Sequence, residues 1–131
     1  MSSMNSMFTI SNTTQKAPPS LPFKKIKEDI LGTTYSVSLV FIGTKRAKTL
    51  NTVWRKKEYI PNVLAFEVDN NTAEIYITPD IAAKEAKKYD HSEAAHIGYL
   101  FIHALLHLKG HAHGVTMESQ EVAYMKKYTL S

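Results

Sequence analysis

Cysteine is absent from this sequence of 131 residues. Disulfide frameworks, cysteine-ligated zinc sites and thiol nucleophiles are therefore excluded, and the absence is compatible with a reducing cytoplasm. Long apolar runs are absent too, because no stretch approaches the roughly 18 residues that a membrane-spanning helix requires. Residues 1–11 lack the basic region followed by an apolar block that marks a secretory signal. We therefore expect a soluble, cytoplasmic protein without a membrane partner.

Neither sign of charge dominates the chain. It carries 16 Lys and Arg against 12 Asp and Glu, and the net charge of +4 permits a polyanionic partner without requiring one. A composition that is 44% hydrophobic and 21% charged is typical of a globular domain. On folding, a chain of this length buries about two thirds of the surface that the unfolded chain exposes, so it needs no disulfide bonds to fold. We expect one domain over residues 1–131, with residues 1–7 as a flexible N-terminus.

Apolar residues alternate or recur at helical spacing in a mixed order of segments. The pattern predicts strands at residues 8–12, 35–42, 63–66 and 73–77, the last two as a possible hairpin. It predicts helices at residues 23–31, 44–56, 79–88, 90–108 and 117–128. We therefore predict an α+β fold, with a small mixed sheet of about four strands packed by helices. Residues 99–108 are almost entirely apolar, which predicts that their helix is buried.

The second predicted helix is basic. Thr44 is a candidate N-cap. One apolar stripe is predicted from the spacing of Ala47, Leu50, Val53 and Trp54, with lysine and arginine side chains on the remaining surface.

All six histidines lie within residues 91–113. His103 and His107 are four residues apart in an apolar helical segment, so they project from one face of the helix. Zinc sites use this spacing repeatedly, because both imidazoles can bind one cation at about 2.0–2.1 Å. Pairs with this spacing also occur as ordinary hydrogen-bonded or surface histidines.

His113 is a candidate third ligand. Gly110 ends the helix, and Gly114 gives the following loop the freedom to fold back toward the histidine pair. Three neutral nitrogen ligands leave a fourth tetrahedral position for water, as in catalytic zinc sites. We therefore predict one Zn²⁺ per chain, held by His103, His107 and His113.

Position 104 bears on the class of reaction. Activated water at zinc suits either phosphodiester or amide hydrolysis. Metalloproteases of the His-Glu-x-x-His type place a glutamate after the first histidine, and this chain has Ala104 there. A protease of that class is therefore disfavoured. His91 and His96 are interpreted as residues at the start of the helix, whereas His111, within the ligand loop, is a candidate catalytic residue.

Residues 103–113 read His-Ala-Leu-Leu-His-Leu-Lys-Gly-His-Ala-His. This run resembles the His-Gly-x-Leu-His-Leu-x-Gly-Tyr-Asp-His signature of the YbeY-type rRNA maturation endoribonucleases, in which three histidines bind zinc. Residues 50–55 and 61–66 are similar to that family's Leu-Asn-x-x-Tyr-Arg and Pro-Thr-Asp-Val-Leu-Ser-Phe segments, and residues 73–77 resemble its Gly-Asp-Ile strand. The resemblance extends over about residues 35–128, in the family's order.

This chain departs from the family pattern near the predicted ligands. Ala104 replaces a glycine, Ala112 replaces the aspartate before the third histidine, and His111 replaces the tyrosine. Asn62 stands where the family has an aspartate. The loss of a residue that supports a metal ligand typically costs 10–100-fold in affinity or activity, so activity weaker than that of typical members is expected.

The resemblance implies a zinc-dependent endoribonuclease that cuts single-stranded RNA in rRNA maturation and ribosome quality control, with the small ribosomal subunit as a partner. It also places an arginine at position 55, and a guanidinium can bind phosphate through two hydrogen bonds. Lys45, Arg46, Lys48, Arg55, Lys56 and Lys57 either line a groove for the RNA backbone or form an ordinary solvated face. The alternative function is a non-catalytic RNA- or ribosome-associated protein with a structural metal site.

Overall fold

The computed structural model describes residues 7–110 and 115–130. Within them the chain forms four strands: β1 (Phe8–Asn12), β2 (Ser36–Phe41), β3 (Val63–Asp69) and β4 (Thr72–Ile77). It also forms five helices: α1 (Phe23–Leu31), α2 (Thr44–Arg55), α3 (Pro79–Lys88), α4 (Glu93–Leu108) and α5 (Val115–Lys127). The predicted elements are confirmed in type and order, and their ends differ by a few residues. His111 and His113 lie outside the described residues.

The sheet has the order β1-β2-β4-β3. Strand β2 pairs in parallel with both β1 and β4, whereas β3 and β4 form an antiparallel hairpin. Aspartate and asparagine at the hairpin turn suit its tight backbone conformation, and Asp69 Oδ1 accepts a hydrogen bond from the Asn71 amide at 2.8 Å. The predicted α+β class, with a mixed four-stranded sheet, is confirmed.

Helix α4 occupies the centre of the fold. Ten of its 16 residues are buried, and it packs against α1, α3, α5 and the sheet. The Phe101 ring lies edge-on to Phe23 and to Phe8, with ring centroids 5.2 and 5.9 Å away. The predicted burial of the apolar run is therefore observed. The binding of a metal by this helix stays a prediction.

The start of α2 differs from the prediction. Gly43, in an extended conformation, is the N-cap residue, and Thr44 is the first residue of the helix. No side chain caps this end. A glycine N-cap is tolerated with a loss of only a few tenths of a kcal/mol relative to Ser or Asn.

The predicted apolar stripe of α2 is also wrong. Ala47 is buried, but Val53 and Trp54 are 55% and 68% exposed. Asn51 takes the buried place instead, because its amide Nδ2 donates to the Tyr59 carbonyl at 2.9 Å in the loop after the helix. The Asn51 side of α2 faces inward, and Trp54 lies at the surface.

No helix within residues 7–110 and 115–130 is long and apolar enough to cross a membrane.

Candidate active site

Three of the predicted site residues line one cavity. Arg55 is the last residue of α2, Asn62 precedes β3, and residues 63–65 begin that strand. Together with His103, Ala104 and His107 of α4, these residues enclose about 260 Å³. The histidine spacing predicts that the two rings share a face, and the fold brings that face to the arginine. Position 104 carries the small alanine at the cavity wall, where a larger side chain would occupy the space.

The end of α2 positions Arg55. Lys56 adopts a left-handed conformation with φ of 59°, and its amide donates to the carbonyl of Thr52 at 3.2 Å. Asn51 holds the loop that follows through Tyr59, as described above. Arg55 is exposed and lines the cavity, so its guanidinium fork is accessible to an anionic ligand.

The two ends of α4 determine how the histidines are presented. Ser92 is the N-cap, and its Oγ accepts a hydrogen bond from the Ala95 amide at 3.0 Å. Gly110 follows the helix with φ of 106°, a conformation that glycine adopts readily. His107 lies in the last turn, where the partial negative charge of the helix end favours a cation.

A buried glutamate supports His103. Glu121 of α5 is only 5% exposed, and its carboxylate contacts Nδ1 of His103. Burial raises the pKa of Tyr99 to about 12, with the charge of Glu121 contributing. Tyr99 is therefore neutral at neutral pH, and Glu121 contacts the histidine.

The role of Glu121 is not among the sequence predictions, although the sequence contains a signal that this residue is buried. Met117 and Met125 lie four residues before and after it, and both are buried. Residues four apart share a helix face, so the glutamate is placed on the buried side of α5. A buried carboxylate requires a partner, and the histidine-bearing helix is where such a partner is found.

A second network begins at the cavity wall. The Asn62 amide Nδ2 donates to both carboxylate oxygens of Glu85, at 3.0 and 3.2 Å. Glu85 Oε1 lies 3.0 Å from Nε2 of the fully buried His96, and His96 Nδ1 lies 3.1 Å from Nδ1 of His91. Burial lowers the pKa of His91, and the neighbouring His96 lowers it further. Both rings are therefore engaged with protein groups.

The described residues alone do not complete a metal site. Over residues 7–110 and 115–130, no three side chains of His, Asp or Glu lie together as a metal-binding group. His103 and His107 provide two candidate ligands. The predicted third ligand, His113, and the predicted catalytic residue, His111, belong to the part of the chain that the structure does not describe.

The chain is similar to a set of known proteins. A profile described as endoribonuclease YbeY matches residues 5–131. An endoribonuclease YbeY from Alkaliphilus metalliredigens is 32% identical over 108 residues, which cover 74% of this chain and 70% of the relative. Another from Phytoplasma australiense is 30% identical over 117 residues, covering 82% and 78%.

The fold is also similar to a solved structure. The solution structure of TM1509 from Thermotoga maritima superposes with a TM-score of 0.68 at 21% identity, covering 92% of this chain and 88% of that one. At this identity the likeness concerns the fold.

Proposed function

Since the chain belongs to the endoribonuclease YbeY family, we propose that it hydrolyses single-stranded RNA in a zinc-dependent reaction at the cavity between α2 and α4. The observation that carries this proposal is the convergence of Arg55, His103 and His107 on one cavity. Arg55 lies 48 positions before the first of the two histidines in the sequence. Their proximity is therefore a property of the fold.

The donor set around His103 fits a metal. A ligating histidine commonly gives its other ring N–H to a carboxylate, which fixes the ring and raises its basicity. Glu121 makes this contact at Nδ1 of His103, and Nε2 is then the atom through which the ring would bind zinc. His107 supplies a second imidazole from the same helix face, and His113 is proposed as the third.

The zinc ion would act as a Lewis acid that activates water at neutral pH and polarises a phosphoryl oxygen. Arg55 binds the phosphate group whose phosphodiester bond is cleaved, because the N–H donors of its guanidinium match two phosphate oxygens. Charge builds on those oxygens in the transition state, so the same guanidinium stabilises it more strongly than the ground state. Asn62 is fixed by Glu85 and keeps the β3 side of the cavity in place.

The cellular role is also a proposal, and its support is the family resemblance. We place the activity in rRNA maturation and ribosome quality control in the cytoplasm, with the small ribosomal subunit as partner. The basic surface of α2 beside Arg55 supports contact with an RNA backbone without sequence reading.

Substitution of Arg55 tests the proposed chemistry. Arg55→Ala should lower kcat/KM for a single-stranded RNA by about 100-fold, the cost of removing one transition-state donor, with unchanged zinc content. Arg46→Ala is the matched comparison on the same helix: Arg46 lies over the Tyr76 ring, 5.8 Å from its centroid, and does not line the cavity, so its loss should leave kcat unchanged. Arg55→Lys should keep part of the rate, since lysine supplies charge without the fork.

The same assay separates the two candidate functions. A non-catalytic protein with a structural zinc would bind metal and show no metal-dependent cleavage in the wild type. Equal cleavage by wild type, Arg55→Ala and Arg46→Ala would also contradict the proposed role of Arg55.

A further inference from the structure

A second cavity adjoins the candidate active site. It encloses about 720 Å³ between the α3–α4 connection and α5. Tyr99 and Glu121 line this cavity, and the same two residues contact His103, which lines the first one. The Tyr99 and His103 ring centroids are 6.2 Å apart. One layer of side chains therefore separates the two cavities.

The wall of the second cavity is rich in flat rings. Tyr89 stacks on His91 with ring centroids 6.0 Å apart and planes 25° apart, and it lies 6.3 Å from Tyr99 at 32°. Tyr89 is 58% exposed, so much of a large aromatic surface faces solvent beside an open cavity. A flat aromatic ligand has a matching surface here.

The charged groups of this cavity are two carboxylates and one ammonium, which lie beside two tyrosines, His91 and Thr129. All three come from α5: Glu118, Glu121 and, five residues after Glu121, Lys126. Carboxylates repel phosphate, so the interior of the cavity disfavours the RNA backbone. They accept hydrogen bonds from exocyclic amino groups, as acidic side chains do from cytosine N4.

From these observations we propose that the second cavity binds one unstacked base of the RNA substrate, near the phosphate that Arg55 holds, and prefers amino-bearing bases over uracil. This inference rests on the proposed function. Proteins recognise single-stranded RNA by stacking splayed bases on aromatic side chains. One face of α4 carries Tyr99, His103 and His107 at four-residue spacing. An RNA strand that lies along this face therefore passes both cavities.

The first arm of the test uses RNA substrates of one length in which a single abasic nucleotide is moved along the strand. Stacking of one base is worth about 1–3 kcal/mol, so one position near the cleaved bond should raise KM by roughly 5-fold to 150-fold. Replacing the base there by uracil should raise KM above that of cytosine or adenine.

The second arm uses variants of the cavity wall. Tyr89→Ala should weaken binding of the intact RNA and abolish the effect of the abasic position, whereas Tyr89→Phe should behave like the wild type. Val122→Trp should fill the cavity, because Val122 lines it and is 67% exposed. Val68→Trp is the control at a similarly exposed valine on β3.

The third arm measures binding without cleavage. An RNA that carries the fluorescent base 2-aminopurine at the sensitive position should lose fluorescence on binding to wild type, and lose less with Tyr89→Ala. Normal cleavage with no position-dependent effect and no fluorescence change would overturn the base site and leave the proposed function standing. Base-dependent quenching without any cleavage would support the base site and overturn the proposed function. Absence of both would overturn both.

Discussion

Two histidine clusters lie on or beside the same helix, and they differ in what their rings face. His96 is fully buried, with Nε2 beside Glu85 and Nδ1 beside His91, so both ring nitrogens are engaged by protein groups. His103 also has a glutamate partner, Glu121, but its ring lines a cavity together with Arg55. A carboxylate partner therefore does not by itself identify a functional histidine. The cavity that His103 lines together with Arg55 distinguishes the second cluster from the first.

Helix α4 uses histidine in two ways. Near its start, α4 uses histidine as a buried polar residue that joins α3 to the wall of the first cavity through Glu85 and Asn62. Near its end, the same residue type faces that cavity. We expect substitutions in the first cluster to change stability and substitutions in the second to change metal binding and catalysis.

The largest expected effect comes from His107→Ala. Loss of a metal ligand should lower RNA cleavage by more than the 10–100-fold that loss of a supporting residue costs. Purified protein should also contain less than one zinc per chain by elemental analysis. Because His107 is exposed, the variant should remain folded by circular dichroism. His91→Ala is the matched control in the other cluster and should keep its zinc, so loss of zinc from both variants would erase the distinction.

The next effect concerns the support of His103. Glu121→Gln keeps the shape of the side chain but removes the charge that holds Nδ1–H, so zinc affinity should fall by about 10–100-fold. Competition with a zinc-binding dye measures this without an activity assay. Glu118→Gln, one turn earlier on α5, should leave zinc affinity unchanged, and equal losses in both variants would show that Glu121 has no special role.

The buried cluster gives the third prediction. His96→Ala removes a fully buried ring and leaves Glu85 and His91 without their shared partner. The free energy of unfolding should fall by roughly 1–3 kcal/mol, the cost of a buried polar group that loses its partner, as measured in urea. Zinc content should stay at the wild-type level. A variant of normal stability that lacked zinc would place His96 in the metal site.

A smaller, pH-dependent effect follows from His91. Its pKa in the folded state lies below the ordinary value of 6.5 because of burial, so the unfolded chain takes up this proton first. The contribution to stability is complete above about pH 6.5 and declines as the pH falls toward the lowered folded pKa. The urea midpoint should therefore drop between pH 7 and pH 6, and less so in His91→Phe. A midpoint that rose over this range would contradict the assignment.

The sequence predicted local features more reliably than contacts between distant elements. Helical spacing placed His103 and His107 on one face because four residues complete about one turn. Arg55 was matched to this pair only through the family resemblance, because no periodicity relates the end of α2 to α4. The contact between Glu121 and His103 likewise depends on how α5 packs on α4, although the spacing of Met117 and Met125 marks the glutamate as buried.

The error at α2 has the same origin. Helical spacing predicts that Val53 and Trp54 belong to a buried stripe, but exposed apolar side chains are common on protein surfaces. Asn51 points inward because the loop after the helix supplies a carbonyl acceptor from Tyr59. Sequence spacing alone contains no information about that acceptor.

The central claim is that the cavity of Arg55, His103 and His107 is a metal-dependent RNA-cleaving site. Its most direct test is to strip the wild-type protein of metal with a chelator, add zinc stepwise and measure cleavage of a single-stranded RNA at each step. Cleavage should be absent without metal and rise to a plateau near one zinc per chain, with no rise in His107→Ala. Full cleavage by the metal-free wild type, or an identical titration curve for His107→Ala, would contradict the claim.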